Sequence, residues 1–186
     1  MGFFSVIKRI IKKLFIFLFK KNIVENNYFK KGYINMEETV LIYLEKDNKY
    51  LMMHRNKKLH DPNFGKYIGV GGRIEEDETK GQALVREVRE ETSLILKSYI
   101  YRAKLLFVND TYREIIHLFT SKDFVGDLNE NCDEGDLSWV DKNKINELTL
   151  WEGDKAFLEI MENSDDYFEM TLTYKNDQLV STLRTA

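Results

Sequence analysis

The sequence is short of the residues that build disulfide-bonded, zinc-binding and collagen-like proteins: its 186 residues include one cysteine, three histidines and one proline. A single cysteine cannot form an internal disulfide, which indicates a reducing, intracellular setting, and so few Cys and His ligands argue against a structural zinc site. One proline and ten glycines exclude collagen-like and low-complexity chains. The 43% of hydrophobic and 32% of charged residues instead predict a globular domain with a packed core.

Long apolar runs are also missing from the start of the chain. In residues 1–35 the longest run, Leu14–Phe19, is far shorter than the ~20 residues that a membrane-spanning helix needs, and no small-residue cleavage site follows it. The segment holds eight Lys or Arg and one acid, so it carries +7; since the whole chain carries −3, the rest carries −10. This asymmetry predicts two parts, a basic leader at 1–35 and a domain at 36–186.

The leader has the period of an amphipathic helix, with its Lys and Arg mostly on one side and its Phe, Ile and Leu on the other. Three interpretations stay open. The helix lies on an anionic membrane surface; or it packs on the domain or on a partner chain; or Met36 is the true start, because the chain from Met36 reads as a complete domain that opens on a strand. We expect a cytoplasmic protein, held at the inner membrane surface under the first interpretation.

Residues 36–186 predict a mixture of strands and helices. Thr79 and Gln82 form a capping box, so a helix should begin near Thr79, and a second helix is predicted over 150–163. The predicted strands are Thr39–Leu44 and Tyr50–Arg55 around an Asp-Asn-Lys turn, 94–109, 113–125, 135–141, and a closing hairpin of 167–174 with 178–184.

Three carboxylates, Glu87, Glu90 and Glu91, have the i, i+3, i+4 spacing that places them on one face of the first helix. Like charges at this spacing destabilise a helix unless a cation lies among them. Carboxylate oxygens are hard ligands that suit Mg²⁺ or Mn²⁺, and such ions also bind substrate phosphates. The alternative is a solvated acidic face with Glu–Arg pairs that contribute little.

The surrounding stretch, GRIEEDETKGQALVREVREETSL, resembles the Nudix box. That box is a glycine, five residues, a glutamate, seven residues, then Arg-Glu-apolar-x-Glu-Glu-x-Gly-apolar. Ser93 stands where the family has a glycine that ends the helix, which predicts an altered turn without loss of a catalytic atom. The positions in register are Gly72, Glu78, Arg86, Glu87, Val88, Glu90, Glu91 and Leu94.

The resemblance implies an α/β (α+β) fold, a Nudix α/β/α sandwich with a mixed central sheet, and hydrolysis of a diphosphate linked to a nucleoside or another moiety. By position, Glu87 would help activate the attacking water, and Arg86 would pair with Glu78 to hold the loop and helix around the structural Gly72. Mg²⁺ or Mn²⁺ would be bound by Glu87, Glu90, Glu91 and the Gly71 carbonyl.

A second resemblance concerns the substrate. LTLWEGDKAFL, residues 148–158, is similar to the tryptophan-plus-acid segment of MutT-like purine nucleoside triphosphate diphosphatases. The similarity implies that Trp151 stacks on a base and that Asp154 lies near the hydrogen-bonding edge of that base. Glu134, in a similar acidic turn, would be a further metal ligand or base. The alternatives are a core aromatic for Trp151 and a surface loop acid for Glu134.

Arg55 closes the second predicted strand, where the family meets phosphate; the alternative is an ordinary exposed arginine. Ile68 stands where some of these enzymes place an asparagine that reads the purine, so recognition of an oxidised base must come from elsewhere, such as the backbone or Asp154. No site is predicted at His54, His60 or His117. Cys132 lies in an acidic setting that should raise the pKa of its thiol, and we do not expect it to act as a nucleophile.

These patterns predict a Mg-dependent Nudix pyrophosphohydrolase that converts (deoxy)nucleoside triphosphates, such as 8-oxo-dGTP, to the monophosphate and pyrophosphate. One alternative keeps the family but changes the substrate to ADP-ribose, a nucleotide sugar or a dinucleoside polyphosphate. Another is a silent nucleotide-binding module, although no box glutamate is missing. The acidic domain offers no broad surface for long nucleic acids, so the expected partner is a small nucleotide. The oligomeric state is left open.

Overall fold

A mixed β-sheet runs through the part of the chain that this computed structural model describes, residues 36–129 and 132–186. Two α-helices and a short 3-10 helix at Lys142–Glu147 accompany it. The helices are α1 (Lys80–Thr92) and α2 (Glu152–Asn163). The strands are β1 (Glu37–Lys46), β2 (Lys49–His54), β3 (Tyr67–Ile68), β4 (Val70–Arg73), β5 (Ile95–Leu96), β6 (Ile100–Asn109), β7 (Tyr112–Ser121), β8 (Phe124–Val125), β9 (Asp136–Asp141), β10 (Phe168–Lys175) and β11 (Gln178–Arg184).

The main sheet has the order β11-β10-β6-β7-β1-β2-β3, with β4 also paired to β1 and β9 also paired to β2. Strand β1 is parallel to β7, and β6 is parallel to β10; the other pairs in this sheet are antiparallel. Strands β5 and β8 pair separately. The prediction of a mixed central sheet is confirmed.

The buried side chains of β1 alternate between the two faces of the sheet, as the period of a strand requires. Ile42 belongs to an apolar cluster with Leu84 and Val88 of α1, whereas Tyr43 belongs to a cluster with Phe157 of α2. One helix therefore covers each face, and the predicted α/β/α layering is confirmed. This layering holds α1 against β1 and β4 and places α2 over the opposite face.

Helix α1 begins where its capping box predicts. Thr79 is the N-cap, its hydroxyl accepts a hydrogen bond from Gln82 N at 3.3 Å, and Gln82 Oε1 accepts one from Thr79 N at 2.9 Å. The helix ends at Ser93, which has a left-handed φ of 63° and donates its N–H to Arg89 O at 3.0 Å. The left-handed turn is thus kept without the glycine that adopts it most easily.

Several predicted boundaries are wrong. Strand β2 ends at His54 and leaves Arg55 in the following loop, and α2 begins at Glu152, so Leu150 and Trp151 precede it. The predicted strands at 94–109 and 113–125 are each split in two, because their outer ends pair with each other as β5 and β8 and not with the main sheet.

Among the described residues, three two-residue hairpin turns contain left-handed residues; the turn between β6 and β7 has Asp110 at a φ of 52°. Asp47 and Asn48 join β1 to β2 with φ values of 51° and 60°, and Asn176 and Asp177 join β10 to β11 with 50° and 61°. Positive φ at both central residues is the geometry that matches the twist of the flanking strands, and Asn and Asp tolerate it. The predicted Asp-Asn-Lys turn and closing hairpin are confirmed.

Among the described residues, no helix is long and apolar enough to cross a membrane. The predictions for residues 1–35 lie outside the described residues.

Candidate active site

Two glycines of β4 let strand and helix approach closely. A Cβ at Gly71 would overlap the backbone of Val40 in β1, and a Cβ at Gly72 would overlap the Glu87 carboxylate. The Glu87 side chain therefore lies directly against the backbone of β4. This close approach brings the start of the acidic helix face to the edge of the sheet.

Arg86 ties the loop before α1 to the helix itself. Its Nε and Nη2 donate to the two oxygens of Glu78 at 2.8 and 2.9 Å, and Nη2 also donates to Arg73 O at 2.9 Å. Its Nη1 donates to Glu87 Oε1 at 2.7 Å and to Glu90 Oε2 at 3.3 Å. The Glu78 carboxylate, followed by that of Glu87, raises the pKa of Arg86 far above its ordinary value. The guanidinium is thus the counter-charge of the acidic face.

Glu91 is the most buried of the three box carboxylates, with 7% of its surface exposed. Its Oε2 accepts a hydrogen bond from Gly71 N at 3.0 Å. Burial raises the pKa of Glu91 to about 8; the Gly71 N–H opposes that rise, and the carboxylates of Glu87 and Glu134 add to it. Burial also raises the pKa of Glu87. Both carboxylates would gain from a cation that compensates their charge.

The donor set fits a hard divalent cation, since it consists of oxygens whose burial makes uncompensated negative charge costly. As they stand, no three Asp, Glu, His or Cys side chains of residues 36–129 and 132–186 converge into a metal-binding group. Arg86 bridges Glu87 and Glu90, and Glu91 turns to Gly71 N. A cation bound here would therefore require these carboxylates to turn toward a common point.

Arg55 lies at the start of the loop after β2 and faces two carboxylates. Its Nε is 2.5 Å from Asp61 Oδ2, and its Nη1 forms an ion pair with Glu134. Glu134 also accepts a hydrogen bond from Lys58 Nζ at 2.5 Å. Burial acts to raise the pKa of Glu134, but Lys58 and Arg55 outweigh it and lower that pKa. Glu134 is therefore held ionised between two cations, on the side of Glu91.

Trp151 precedes α2 and is partly buried. Its indole Nε1 donates to Asn63 Oδ1 at 2.8 Å, and its ring meets Phe107 and Tyr174 edge-on at centroid distances of 5.7 and 5.2 Å. Lys66 Nζ lies 4.4 Å from the ring centroid. The structure thus places Trp151 in an aromatic group at the rim of the α2-side core.

Asp154 lies in the first turn of α2 and is buried, with 8% of its surface exposed. Burial raises its pKa to about 8, and the nearby Lys66 ammonium limits that rise. Burial is the largest cause of the raised pKa values of the Tyr43 and Tyr174 phenols. The nearby Asp154 carboxyl raises both pKa values further. Near neutral pH the Asp154 carboxyl is therefore able to donate a hydrogen bond as well as to accept one.

The residues at which no site is predicted divide between structural contacts and the surface, where His60 is exposed. His117 is buried between Glu38 and Tyr101, at 2.8 and 2.9 Å from its two ring nitrogens, and His54 stacks on Tyr67. Cys132 is buried in the α1-side cluster. The pKa of its thiol is raised as predicted, but burial is the first cause and the acids come after it.

Sequence reasoning missed Lys58, Asp61, Asn63 and Lys66, which contact the predicted residues. All four belong to one loop between β2 and β3. The available signal was the Asp61-Pro62 pair, which is typical of turns and carries no chemistry by itself. Their partners are distant in sequence, such as Glu134 for Lys58 and Trp151 for Asn63.

Comparison with known families gives one match over most of the chain. The model of the NUDIX domain matches residues 36–160, which is more than half of the sequence. The matched range includes the Gly72–Leu94 stretch, Arg55, Glu134, Trp151 and Asp154.

Three curated relatives are similar to the chain. The uncharacterized Nudix hydrolase YvcI of Bacillus subtilis is 26% identical over 136 residues, 70% of this chain and 82% of that protein. The oxidized purine nucleoside triphosphate hydrolase of Danio rerio is 31% identical over 99 residues, 52% of this chain and 63% of that protein. The ADP-ribose pyrophosphatase of Methanocaldococcus jannaschii is 36% identical over 81 residues, 42% of this chain and 46% of that protein.

A solved structure supports the same fold. The MutT protein from Bacillus halodurans matches with a TM-score of 0.72, over 80% of this chain and 97% of that one, at 21% identity. The likeness shows that the chain has the fold of that protein.

Proposed function

Because the chain belongs to the Nudix family and is a hydrolase that acts on nucleotide pyrophosphate bonds, we propose that its substrates are (deoxy)nucleoside triphosphates, with oxidised purines such as 8-oxo-dGTP preferred. Water attacks a phosphorus, and the products are the nucleoside monophosphate and pyrophosphate. The name of the Danio rerio relative supports this substrate class. The observation that carries the proposal is the buried Asp154 beside Trp151 at the start of α2.

The base would stack on Trp151 and present its polar edge to Asp154. Oxidation at C8 gives a purine a new C8 carbonyl next to an N7–H, so a residue that reads this edge must both accept and donate. A carboxyl with a pKa of about 8 can do both near neutral pH. Asp154 thereby supplies the recognition that Ile68, which has no amide, cannot provide.

The phosphates would lie on the side of the box. There Glu87, Glu90, Glu91 and the Gly71 carbonyl would hold Mg²⁺ or Mn²⁺. The bound cation would neutralise phosphate charge and lower the pKa of the attacking water. Glu87, with a pKa raised by burial, would accept the proton of that water.

Other residues would support this chemistry from around the box. Arg86 and Glu78 would hold the loop on the helix through their paired hydrogen bonds. Arg55 would meet a phosphate. Glu134 would act as a further ligand or base after it leaves Arg55 and Lys58.

Turnover of a nucleotide panel tests this proposal, with the nucleotide products separated by chromatography and pyrophosphate measured for the triphosphates. The panel contains dGTP, 8-oxo-dGTP, 2-oxo-dATP, the pyrimidine triphosphates, ADP-ribose and a dinucleoside polyphosphate, each with Mg²⁺, with Mn²⁺ and with EDTA. We expect metal-dependent turnover with an oxidised purine preferred over dGTP. Turnover of ADP-ribose alone would keep the family and replace the substrate, in line with the Methanocaldococcus jannaschii relative. Metal-independent turnover would overturn the role proposed for the box.

The stacking role of Trp151 has its own test. Replacement by alanine should raise KM for every base by about fivefold to 100-fold, since base–aromatic stacking contributes about 1–3 kcal/mol. Trp151→Phe is the matched control, because it keeps an aromatic ring beside Phe107 and Tyr174 but loses the bond to Asn63. An unchanged KM in the alanine variant would make Trp151 a core residue only.

We also propose that the chain is divided into a basic leader at 1–35 and the Nudix domain at 36–186. The +7 of the leader supports peripheral contact with an anionic membrane surface. Packing against protein and a true start at Met36 remain the competing interpretations.

A further inference from the structure

The loop between β2 and β3 is closed on itself and reaches both halves of the proposed site. Arg55 N donates to Lys66 O at 2.9 Å and Gly65 N donates to Arg55 O at 2.7 Å, so the two ends of the loop are joined as in a hairpin. Arg55 and Lys58 reach Glu134 at one end, whereas Asn63 and Lys66 reach Trp151 at the other. A change at one end of this loop is therefore able to act on the other.

Asp61 is the residue at which the two ends meet. Its side chain is 6% exposed, and both of its oxygens are engaged. Oδ2 accepts from Arg55 Nε at 2.5 Å, and Oδ1 accepts from Asn63 N at 2.9 Å. Asn63 in turn accepts the indole N–H of Trp151 at 2.8 Å. A continuous chain of hydrogen bonds thus runs from Arg55 through Asp61 and Asn63 to Trp151.

The contacts of Arg55 leave part of its guanidinium for a ligand. Nε is held by Asp61, and Nη1 by Glu134 and the sulfur of Met53. Within the described residues, Nη2 has no hydrogen-bond partner. Two carboxylates thus fix the plane of the guanidinium and keep the third nitrogen available. Phosphate oxygens are suitable acceptors for such a held guanidinium.

We propose that Asp61 is a positioning residue, which orients Arg55 for the phosphates of the nucleotide and, through Asn63, holds the Trp151 indole for the base. This inference rests on the proposed function, because it assigns the two ends of the loop to the two ends of one substrate. Asp61 itself touches neither phosphate nor base. When Glu134 leaves Arg55 to join the metal site, Asp61 is the contact that keeps Arg55 in place.

The test is a double-mutant cycle between Asp61 and Arg55, followed by ligand binding. The ligands are a triphosphate with a non-hydrolysable α,β linkage, in Mg²⁺, and the corresponding free nucleoside. Asp61→Asn keeps the shape of the side chain and removes its charge. We expect about tenfold weaker binding of the triphosphate, since a charge-assisted hydrogen bond is lost, and much less change for the nucleoside. In an Arg55→Ala background, Asp61→Asn should cause no further loss.

Tryptophan fluorescence without ligand tests the hydrogen bonds that connect Asp61 through Asn63 to Trp151. In a Trp139→Phe background Trp151 is the remaining tryptophan, and its emission should shift in both Asp61→Ala, which removes the acceptor for Asn63 N, and Asn63→Ala. Asp127→Asn is the matched control, because Asp127 is an exposed loop acid outside the proposed site; it should change neither binding nor emission. Thermal melts show that each variant is folded.

Three results would overturn the proposal. They are wild-type triphosphate affinity in Asp61→Asn, equal losses for triphosphate and nucleoside, and a loss that persists in the Arg55→Ala background. Failure of the proposed function is a separate result, in which the wild-type protein binds no nucleotide. The emission of Trp151 then decides alone, and an unchanged emission in Asp61→Ala overturns the inference.

Discussion

Glu91 shows how one buried carboxylate can be costly for the fold and still useful to the site. Its burial raises its pKa to about 8, so its negative charge is unfavourable in the protein without a cation. Its hydrogen bond from Gly71 N, by contrast, needs only an acceptor oxygen. Replacing the carboxylate by an amide at this position would therefore remove the charge and keep the hydrogen bond from Gly71 N.

We expect Glu91→Gln to lower kcat/KM by about 100-fold or more, because a lost metal ligand removes several kcal/mol of charge stabilisation. The variant should stay folded, since glutamine keeps an acceptor for Gly71 N and carries no buried charge. Steady-state kinetics and thermal melts measure the two effects. Glu159→Gln, at an exposed position of α2, is the matched control. Turnover close to that of the wild type would remove Glu91 from the metal site.

Asp154 predicts a pH dependence of stability. Its pKa is about 8 in the folded protein and ordinary in the unfolded chain, so between about pH 4 and pH 8 the folded state binds the additional proton. The free energy of unfolding should then fall as pH rises through this window, by at most about 1.4 kcal/mol per pH unit from this group. The charge of Lys66 opposes the rise that burial causes in the pKa of Asp154. The charge of Asp154 in turn adds to the rise that burial causes in the pKa values of Tyr43 and Tyr174.

Asp154→Asn should flatten this slope, so that the variant gains stability relative to the wild type at pH 8 but not at pH 4. Urea unfolding at a series of pH values measures it. Asp165→Asn, at an exposed acid after α2, should leave the slope unchanged. A parallel slope in Asp154→Asn and in the wild type would show that the Asp154 carboxyl ionises normally.

At the scale of elements, the sequence predicted the helix ends, turns and helix faces that depend on residues close to one another along the chain. The capping box of Thr79 and Gln82 gave the start of α1, and turn residues gave the hairpins of β1 with β2 and of β10 with β11. The helical spacing of Glu87, Glu90 and Glu91 gave the acidic face of the box. Each of these signals lies within a few residues of the feature that it predicts.

What the sequence did not reveal depends on contacts between distant segments. The split of the strand at 94–109 follows from the pairing of β5 with β8, next to which Lys97 N donates a hydrogen bond to Asp123 O. Likewise, Lys58 lies 76 positions from its partner Glu134, so no periodic pattern relates the two. The ends of long strands and the loop half of the candidate site were therefore beyond prediction from local patterns.

The end of α1 gives a prediction about stability. Ser93 adopts a left-handed φ of 63°, where a Cβ is costly and glycine is not penalised. We expect Ser93→Gly to raise the free energy of unfolding by roughly 1 kcal/mol, with unchanged kcat, because no catalytic group moves. Denaturant unfolding measures the gain. Ser93→Ala keeps the Cβ and should bring no gain; equal stabilities in all three proteins would show that the turn is unstrained.

At the scale of the whole molecule, charge is divided along the chain. Residues 36–186 carry −10, which disfavours a free polyphosphate and favours one that arrives with its cation. Residues 1–35 carry +7. The two parts should therefore respond differently to anionic surfaces.

The full-length protein should sediment with anionic vesicles and less with neutral ones, because each Lys or Arg near such a surface contributes about 1 kcal/mol. Binding should weaken as salt rises, since salt screens these charges. A protein that starts at Met36 is the control and should stay in the supernatant. Equal sedimentation of the two proteins would show that the leader is not an anchor.

The bridge that Arg86 makes between Glu87 and Glu90 also bears on how the site is loaded. Two of the box carboxylates have a built-in counter-ion, so a metal bound there would compete with the Arg86 guanidinium for them. Loss of the Arg86 contacts would make the binding free energy of the free ion less favourable. A nucleotide that arrives with its cation would bring both at once. The cation would then be the new partner of the carboxylates, and a phosphate would be the new partner of Arg86. Occupancy of the site would then follow the concentration of metal-bound nucleotide more closely than that of the metal.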